Sequence, residues 1–193
     1  MTKKEAVVAV VLLAAVLSGC SVNHPIAKDY RQFLEKNAGA TALPKSNLNS
    51  DYVIDGKTQN HKYEFRAATV GYAHLWIVEF GKILDETLNA PYVQNSFGRL
   101  TKADTASKKD ESLISFSLES YEFKNYRAYV SMRIKLTNGD TTITDKLYTV
   151  EGHSQGGKMW GAGPFGMKSA TLDSTKSAID QILNQFIDGL PKT

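Results

Sequence analysis

The stretch from Arg127 to Leu136 alternates without a break. Ala128, Val130, Met132, Ile134 and Leu136 form one row, and Arg127, Tyr129, Ser131, Arg133 and Lys135 form the other. Successive side chains of a strand point to opposite faces, so this segment predicts a strand with one dry and one wet face. Asn138-Gly139 follows, a strong hairpin signal, and Thr141 to Val150 predicts the returning strand. A sheet built this way needs cover on its dry face. The cover is written at the other end of the chain. Ile179, Ile182, Leu183, Phe186, Ile187 and Leu190 recur at i, i+3, i+4, i+7, i+8 and i+11, which predicts an amphipathic helix from Ser169 to Leu190, closed by Pro191.

The rest of the chain reads more weakly. Glu111 to Glu119 alternates, with Ile114, Phe116 and Leu118 facing in. Tyr63, Phe65 and Ala67 mark a strand over His61 to Thr69. Tyr52 and Ile54 hint at a short strand before Gly56, and another is expected around Phe97 to Leu100. Ala27 to Asn37 reads as a short helix on Tyr30, Phe33 and Leu34. A longer helix is expected from Tyr72 to Asn89. Trp76, Phe80, Ile83, Leu84 and Leu88 lie on one face, with Leu75, Ile77 and Val78 widening it. Ser21 to Pro25 reads as a tether. Ala38 to Ser50, Asp104 to Asp110 and Gly152 to Gly166 read as loops. The sum is an α+β two-layer sandwich, a mainly antiparallel sheet with amphipathic helices on one face, forming one domain over residues 51–193.

The chain has one cysteine, Cys20, which follows Leu17-Ser18-Gly19. Ahead of it lie Lys3, Lys4 and an unbroken apolar run from Ala6 to Val16. A positive start, a short apolar stretch and small residues before a cleavage point are the layout of a secretory signal. The run is too short to span a bilayer, which takes roughly 18 or more apolar residues. Leu17 to Cys20 resembles the bacterial lipobox. That resemblance implies removal of residues 1–19, lipidation of Cys20 with palmitate-type chains, and a tether with a short helix and loop over residues 20–50. With Cys20 lipidated, no thiol remains for disulfide, redox or metal chemistry. The fold must hold by packing. The formal charge of +3 is too balanced to point to nucleic acid.

Motifs for catalysis are poor. Gly152-His153-Ser154-Gln155-Gly156 matches G-x-S-x-G, but a serine hydrolase of that class needs a histidine after the serine, and none follows Ser154. Gly152 to Lys158 nearly matches a phosphate loop, but Met159 stands where Ser or Thr would meet magnesium. His24, His61, His74 and His153 have no ligand partner at metal spacing on one element. No enzyme, metal or cofactor is expected.

Two segments suit binding. The glycine-rich loop holds Lys158, Met159, Trp160 and Phe165, apolar bulk on a flexible segment. The competing reading is a lid folded back on the sheet edge. The wet face of Arg127, Tyr129, Arg133 and Lys135 joins basic and aromatic groups. Its competing reading is a plain solvated face.

Signal, length and element order resemble small envelope lipoproteins of Gram-negative bacteria. Two groups are similar: auxiliary lipoproteins of ABC-type lipid transport systems, and outer-membrane activators of peptidoglycan synthases. Many share a glycine-containing segment before a long C-terminal helix, as in Gly152 to Leu190. The resemblance implies a non-enzymatic lipoprotein on the periplasmic side of the outer membrane. It would be held to the membrane by lipid on Cys20 and would dock on an envelope protein complex or polymer. The alternative is a lipid or small-ligand carrier, with an apolar cavity between Trp76, Phe80 and the sheet.

Overall fold

In chain order the elements are β1 (Val22–Pro25), α1 (Tyr30–Lys36), β2 (Asn49–Ile54), α2 (Gly56–Gln59), β3 (Lys62–Phe65), β4 (His74–Glu79), α3 (Phe80–Leu88), α4 (Pro91–Gln94), β5 (Arg99–Lys102), β6 (Ser112–Lys124), β7 (Arg127–Asn138), β8 (Thr141–Glu151) and α5 (Gly163–Asp188). The computed structural model describes residues 21–37, 42–103, 112–159 and 162–190. The signal segment, Cys20, Trp160 and the expected loop from Asp104 to Asp110 lie outside the described residues.

The class is α+β, as the alternation and the helical stripe require. The strands form two sheets. The larger has the order β5-β2-β6-β7-β8 and the smaller the order β1-β4-β3. Within the larger sheet, β6, β7 and β8 form an antiparallel meander. At the other end, β2 pairs in parallel with both β5 and β6. Ala128, Val130, Met132, Ile134 and Leu136 are all buried, so the alternation of β7 holds along its length. Asn138 stays in the ladder opposite Thr141, and Gly139, at φ 55°, takes the turn. The β6–β7 hairpin turns on Asn125 and Tyr126, both at positive φ, the backbone of a two-residue I′ turn. Tyrosine is an unusual residue to hold there.

Helix α5 lies across the dry face of β7 and β8. Ile179, Ile182, Leu183, Phe186 and Ile187 are buried beneath it, each contributing about 1.5–3 kcal/mol by leaving water. The helix starts six residues earlier than the apolar stripe indicates, with Pro164 in its first turn, a position where a missing N–H costs nothing. Its approach to the sheet is close. The Ala128 N–H donates to Ser174 Oγ at 2.9 Å, and the Gly152 N–H donates to the Ala128 carbonyl at 2.8 Å. A Cβ added at Gly152 would sit 2.0 Å from the Ser174 carbonyl oxygen. Tyr121 Oη and Thr175 Oγ1 share a buried hydrogen bond of 2.8 Å between β6 and α5.

The segment from Tyr72 to Asn89 is where the sequence reading is corrected. It is a strand followed by a helix, with the change at Phe80. His74 to Glu79 carries a short apolar, β-branched run, and β4 is flanked by parallel β1 and antiparallel β3. Trp76 and Val78 are buried on one face, but Leu75 and Ile77 on the part-buried other face are apolar too, so the sequence does not alternate and imitates a buried helix. Gly81 marks the true helix. It packs against the α2 backbone so tightly that a Cβ would sit 2.5 Å from Thr58 O. The tether from Ser21 to Pro25 is likewise corrected, because Val22–Pro25 is β1. Its residues are mostly polar, and its order comes from β4, not from its own composition.

Aromatic rings join the two sheets. Trp76 stacks between Phe65 and His24, with centroids 5.5 Å away on each side. Phe65 meets Phe123 of β6 at 5.1 Å, and Tyr63 meets Tyr121 at 5.3 Å. His24 Nε2 and His74 Nδ1 are 2.8 Å apart across β1 and β4, a bond that needs one ring neutral at the accepting nitrogen. Burial holds the His24 imidazole below its ordinary value, reinforced by His74 and then Lys168. Burial, then Lys57, does the same for His61.

Two outcomes are expected. Gly152→Ala should lose stability at the upper end of the roughly 1–3 kcal/mol seen for overpacked sites, measured by urea unfolding. Gly157→Ala, which meets open space, should stay within about 0.5 kcal/mol of the parent. Equal midpoints would contradict the tight contact. The second concerns pH. The folded chain holds the His24 and His61 imidazoles below their ordinary value, so the unfolded chain binds protons first as pH falls. Their contribution is complete above about pH 6.5 and is lost below it. The melting temperature should drop between pH 7.5 and 5.5, and His24→Gln should shrink the drop. An unchanged drop in the variant would remove His24 from the account.

Candidate functional site

The outer face of the meander presents all four residues expected there: Arg127, Tyr129, Arg133 and Lys135. Their surroundings are less basic than the row itself. Arg127 bonds Glu151 at 3.1 Å. Arg133 bonds Asp145 at 2.9 Å and approaches Glu119 at 3.7 Å, and these carboxylates hold its guanidinium above its ordinary value. Lys135 stands opposite Asp145 in register. Lys124 reaches Glu122 at 2.7 Å and lies 4.9 Å from the centre of the Tyr129 ring. Each arginine has an acid on the same face, so the surface is a balanced polar lattice with a tyrosine in it. Leu147 and Ile143 of β8 are exposed beside it. β8 is the edge of the larger sheet, with no strand beyond it among the described residues.

The glycine-rich segment divides. Lys158 and Met159 belong to a 3-10 turn over Gly156–Met159, and their side chains, like Trp160, lie outside the described residues. Phe165 sits in the first turn of α5, 81% exposed. It therefore projects to solvent and is not folded onto the sheet. Three residues further on, the Lys168 amine bonds the Asp29 carboxylate and holds it below its ordinary range. This ties the start of α5 to the turn before α1.

Between α1, α5 and the segment after β8 runs a groove of about 490 Å³. Half of its polar lining is carboxamide, from Asn37, Gln155, Gln181, Asn184 and Gln185, joined by Ser177, His153 and Asp173. Phe33 and Leu43 supply apolar floor. Such a lining offers donors and acceptors together, with the two carboxylates of Asp173 and Asp180 against the one amine of Lys176. At one end lie Lys176 and Asp180, both buried and 2.5 Å apart. Asp180 also accepts from Tyr92 Oη at 2.6 Å, and the Lys176 amine lies 4.6 Å from the centre of that ring. Burial, then the Asp180 charge, pushes the Tyr92 hydroxyl well above its ordinary value, so it stays a donor. A second groove of about 910 Å³ runs between the 44–49 segment, the ends of β7 and β8, and the C-terminal turn of α5.

The sequence reading missed the carboxamide groove. Its residues come from three distant stretches, and only the amide-rich tail of α5, Gln181, Asn184 and Gln185, could have signalled it. Lys176 and Asp180 were also legible as opposite charges four apart on one helix. Ser154 follows β8 with no strand–helix elbow around it. Its neighbour His153 is anchored by its own N–H to Ser177 Oγ at 3.2 Å. Among the described residues, no three His, Cys, Asp or Glu side chains gather as they would around a metal ion. Also among them, no helix is long and apolar enough to cross a membrane.

No family model matches the chain, and no curated protein matches it by sequence. Solved structures do resemble it in shape. One is a Xanthomonas campestris protein of the DUF330 family, 10% identical with a TM-score of 0.47, the match covering 76% of this chain and 87% of that one. A second, described as an uncharacterized protein, is 14% identical with a TM-score of 0.44, covering 76% of this chain and 96% of that one. At these values neither bears on function.

Proposed function

We propose that this chain is a lipid-anchored, non-enzymatic envelope protein that works by docking, on the periplasmic side of the outer membrane. The observation that carries the reading is Leu17-Ser18-Gly19-Cys20 behind a charged start and a short apolar run. Cys20 becomes the acylated N-terminus. One chain alone binds reversibly, and the several chains of a lipoprotein cysteine hold firmly. Anchoring confines the domain to a layer at the membrane, which raises its effective concentration toward a partner in that layer.

The surfaces support docking over carrying. The partner is an envelope protein complex or polymer, met through the carboxamide groove, Phe165, the residues Lys158, Met159 and Trp160 that precede it in sequence, and the face of Arg127, Tyr129, Arg133 and Lys135. The carboxamides suit a chain rich in hydroxyls and amides, such as the glycan and peptide of the envelope wall. A lipid carrier needs an apolar cavity beside Trp76 and Phe80. Both are fully buried, Trp76 between Phe65 and His24, and Phe80 against Tyr121 with centroids 5.5 Å apart. The two grooves described above lie elsewhere.

Crosslinking in intact envelopes tests the reading. The native protein should capture a defined partner, or co-sediment with purified wall polymer, and Cys20→Ala should lose most of that recovery in the envelope. Asn184→Ala with Gln185→Ala should cut it several-fold without moving the melting temperature. Recovery of bound lipid alone, equal with and without the anchor, would replace docking with the carrier.

A further inference from the structure

One end of the smaller sheet has the chemistry of a membrane interface. β1 runs parallel to β4, so Val22 begins beside His74, and the Val22 N–H donates to the Ala73 carbonyl at 2.9 Å. β3 runs the other way and ends at the same place, with Arg66 just past it. Val22 is 46% exposed and Tyr72 is 69% exposed. The Arg66 guanidinium bonds the Tyr72 carbonyl and donates to Ser21 Oγ at 3.1 Å. It thereby clamps the 66–72 turn to the start of β1 and keeps further donors open to solvent. From Arg66 to His74, and from Ser21 to Lys28, the chain has no carboxylate.

Distance decides what this end meets. Val22 is two residues past Cys20. Each step spans about 3.8 Å, so the first ordered pairing of the domain lies within about 8 Å of the acylated residue. We propose that this end, Val22, Arg66 and Tyr72, rests on the lipid headgroups of the membrane that holds Cys20. The inference rests on the anchoring proposed above. Tyrosine settles at the headgroup level, where its ring is half in hydrocarbon and its hydroxyl is wet. Arginine offers paired donors to lipid phosphate. The domain is then held in one orientation, with β1 and β4 starting at the membrane and running away from it.

The test uses the lipidated protein in vesicles of phosphatidylethanolamine and phosphatidylglycerol. Lipid consumes the thiol of Cys20, so Tyr72→Cys, Val22→Cys or Leu147→Cys each leaves one thiol for a nitroxide label. Two labels per chain would show Cys20 free, which sinks the anchoring and this inference together. With one label per chain, the ratio of oxygen to nickel-chelate accessibility at 72 and 22 should exceed that at 147 several-fold. Equal, water-like ratios at all three would overturn the membrane contact and leave the anchoring standing. A flexible Gly-Ser insertion between Ser21 and Val22 should bring 72 down to the level of 147. Persistence of the contact would overturn the short tether as its cause.

Discussion

The domain depends on one contact, helix α5 lying down on the β6–β7–β8 meander. No disulfide can share the work, because the only thiol sits at position 20, and the apolar face of three strands has to be sealed by side chains alone. The seal is close enough that its tightest point excludes a methyl group: Gly152 at the end of β8 touches Ser174 of α5. Polar groups trapped there are satisfied across the interface, Ala128 to Ser174 and Tyr121 to Thr175. The smaller sheet is secondary. It reaches the meander through the ring contacts of Phe65 with Phe123 and Tyr63 with Tyr121, and Trp76 closes the far side of that stack.

Sequence and structure agree where an element has one wet face. β7 alternates over its whole length because solvent defines one side of it, and α5 shows a stripe for the same reason. They part where both faces carry apolar residues or where a neighbour supplies the order. β4 carries apolar residues on its part-buried face as well as on its buried one, so Leu75, Trp76, Ile77 and Val78 read as continuous apolar chain and mimic a helix. β1 has almost no apolar residues, and nothing local could reveal a strand templated from a segment fifty residues away. The parallel pairings of β2 are equally non-local. At the candidate site, the row from Arg127 to Lys135 was legible as a wet face. Its neutrality was not, since Glu119, Asp145 and Glu151 come from two other strands. The carboxamide groove was invisible for the same reason, being assembled from α1, the turn after β8 and α5.

These features form one arrangement. On the proposed reading, a lipid-bearing Cys20 would lead within two residues into a strand, holding the domain directly below the membrane and not on a flexible leash. The end near Cys20 offers valine, tyrosine and arginine. The carboxamide groove, the exposed Phe165 and the tyrosine-bearing sheet face are presented by α5 and the larger sheet, which the smaller sheet joins to the end near Cys20. The work proposed for the domain is to hold a chosen surface at a fixed height.

The claim on which all of this turns is the chemistry of residue 20. Mass analysis of the N-terminal peptide from protein isolated out of cell envelopes reads it directly. The account expects a chain beginning at Cys20, with the mass of a thioether-linked diacylglycerol and an acylated amine. A peptide retaining residues before Cys20, or beginning at Cys20 with a free thiol, would contradict it.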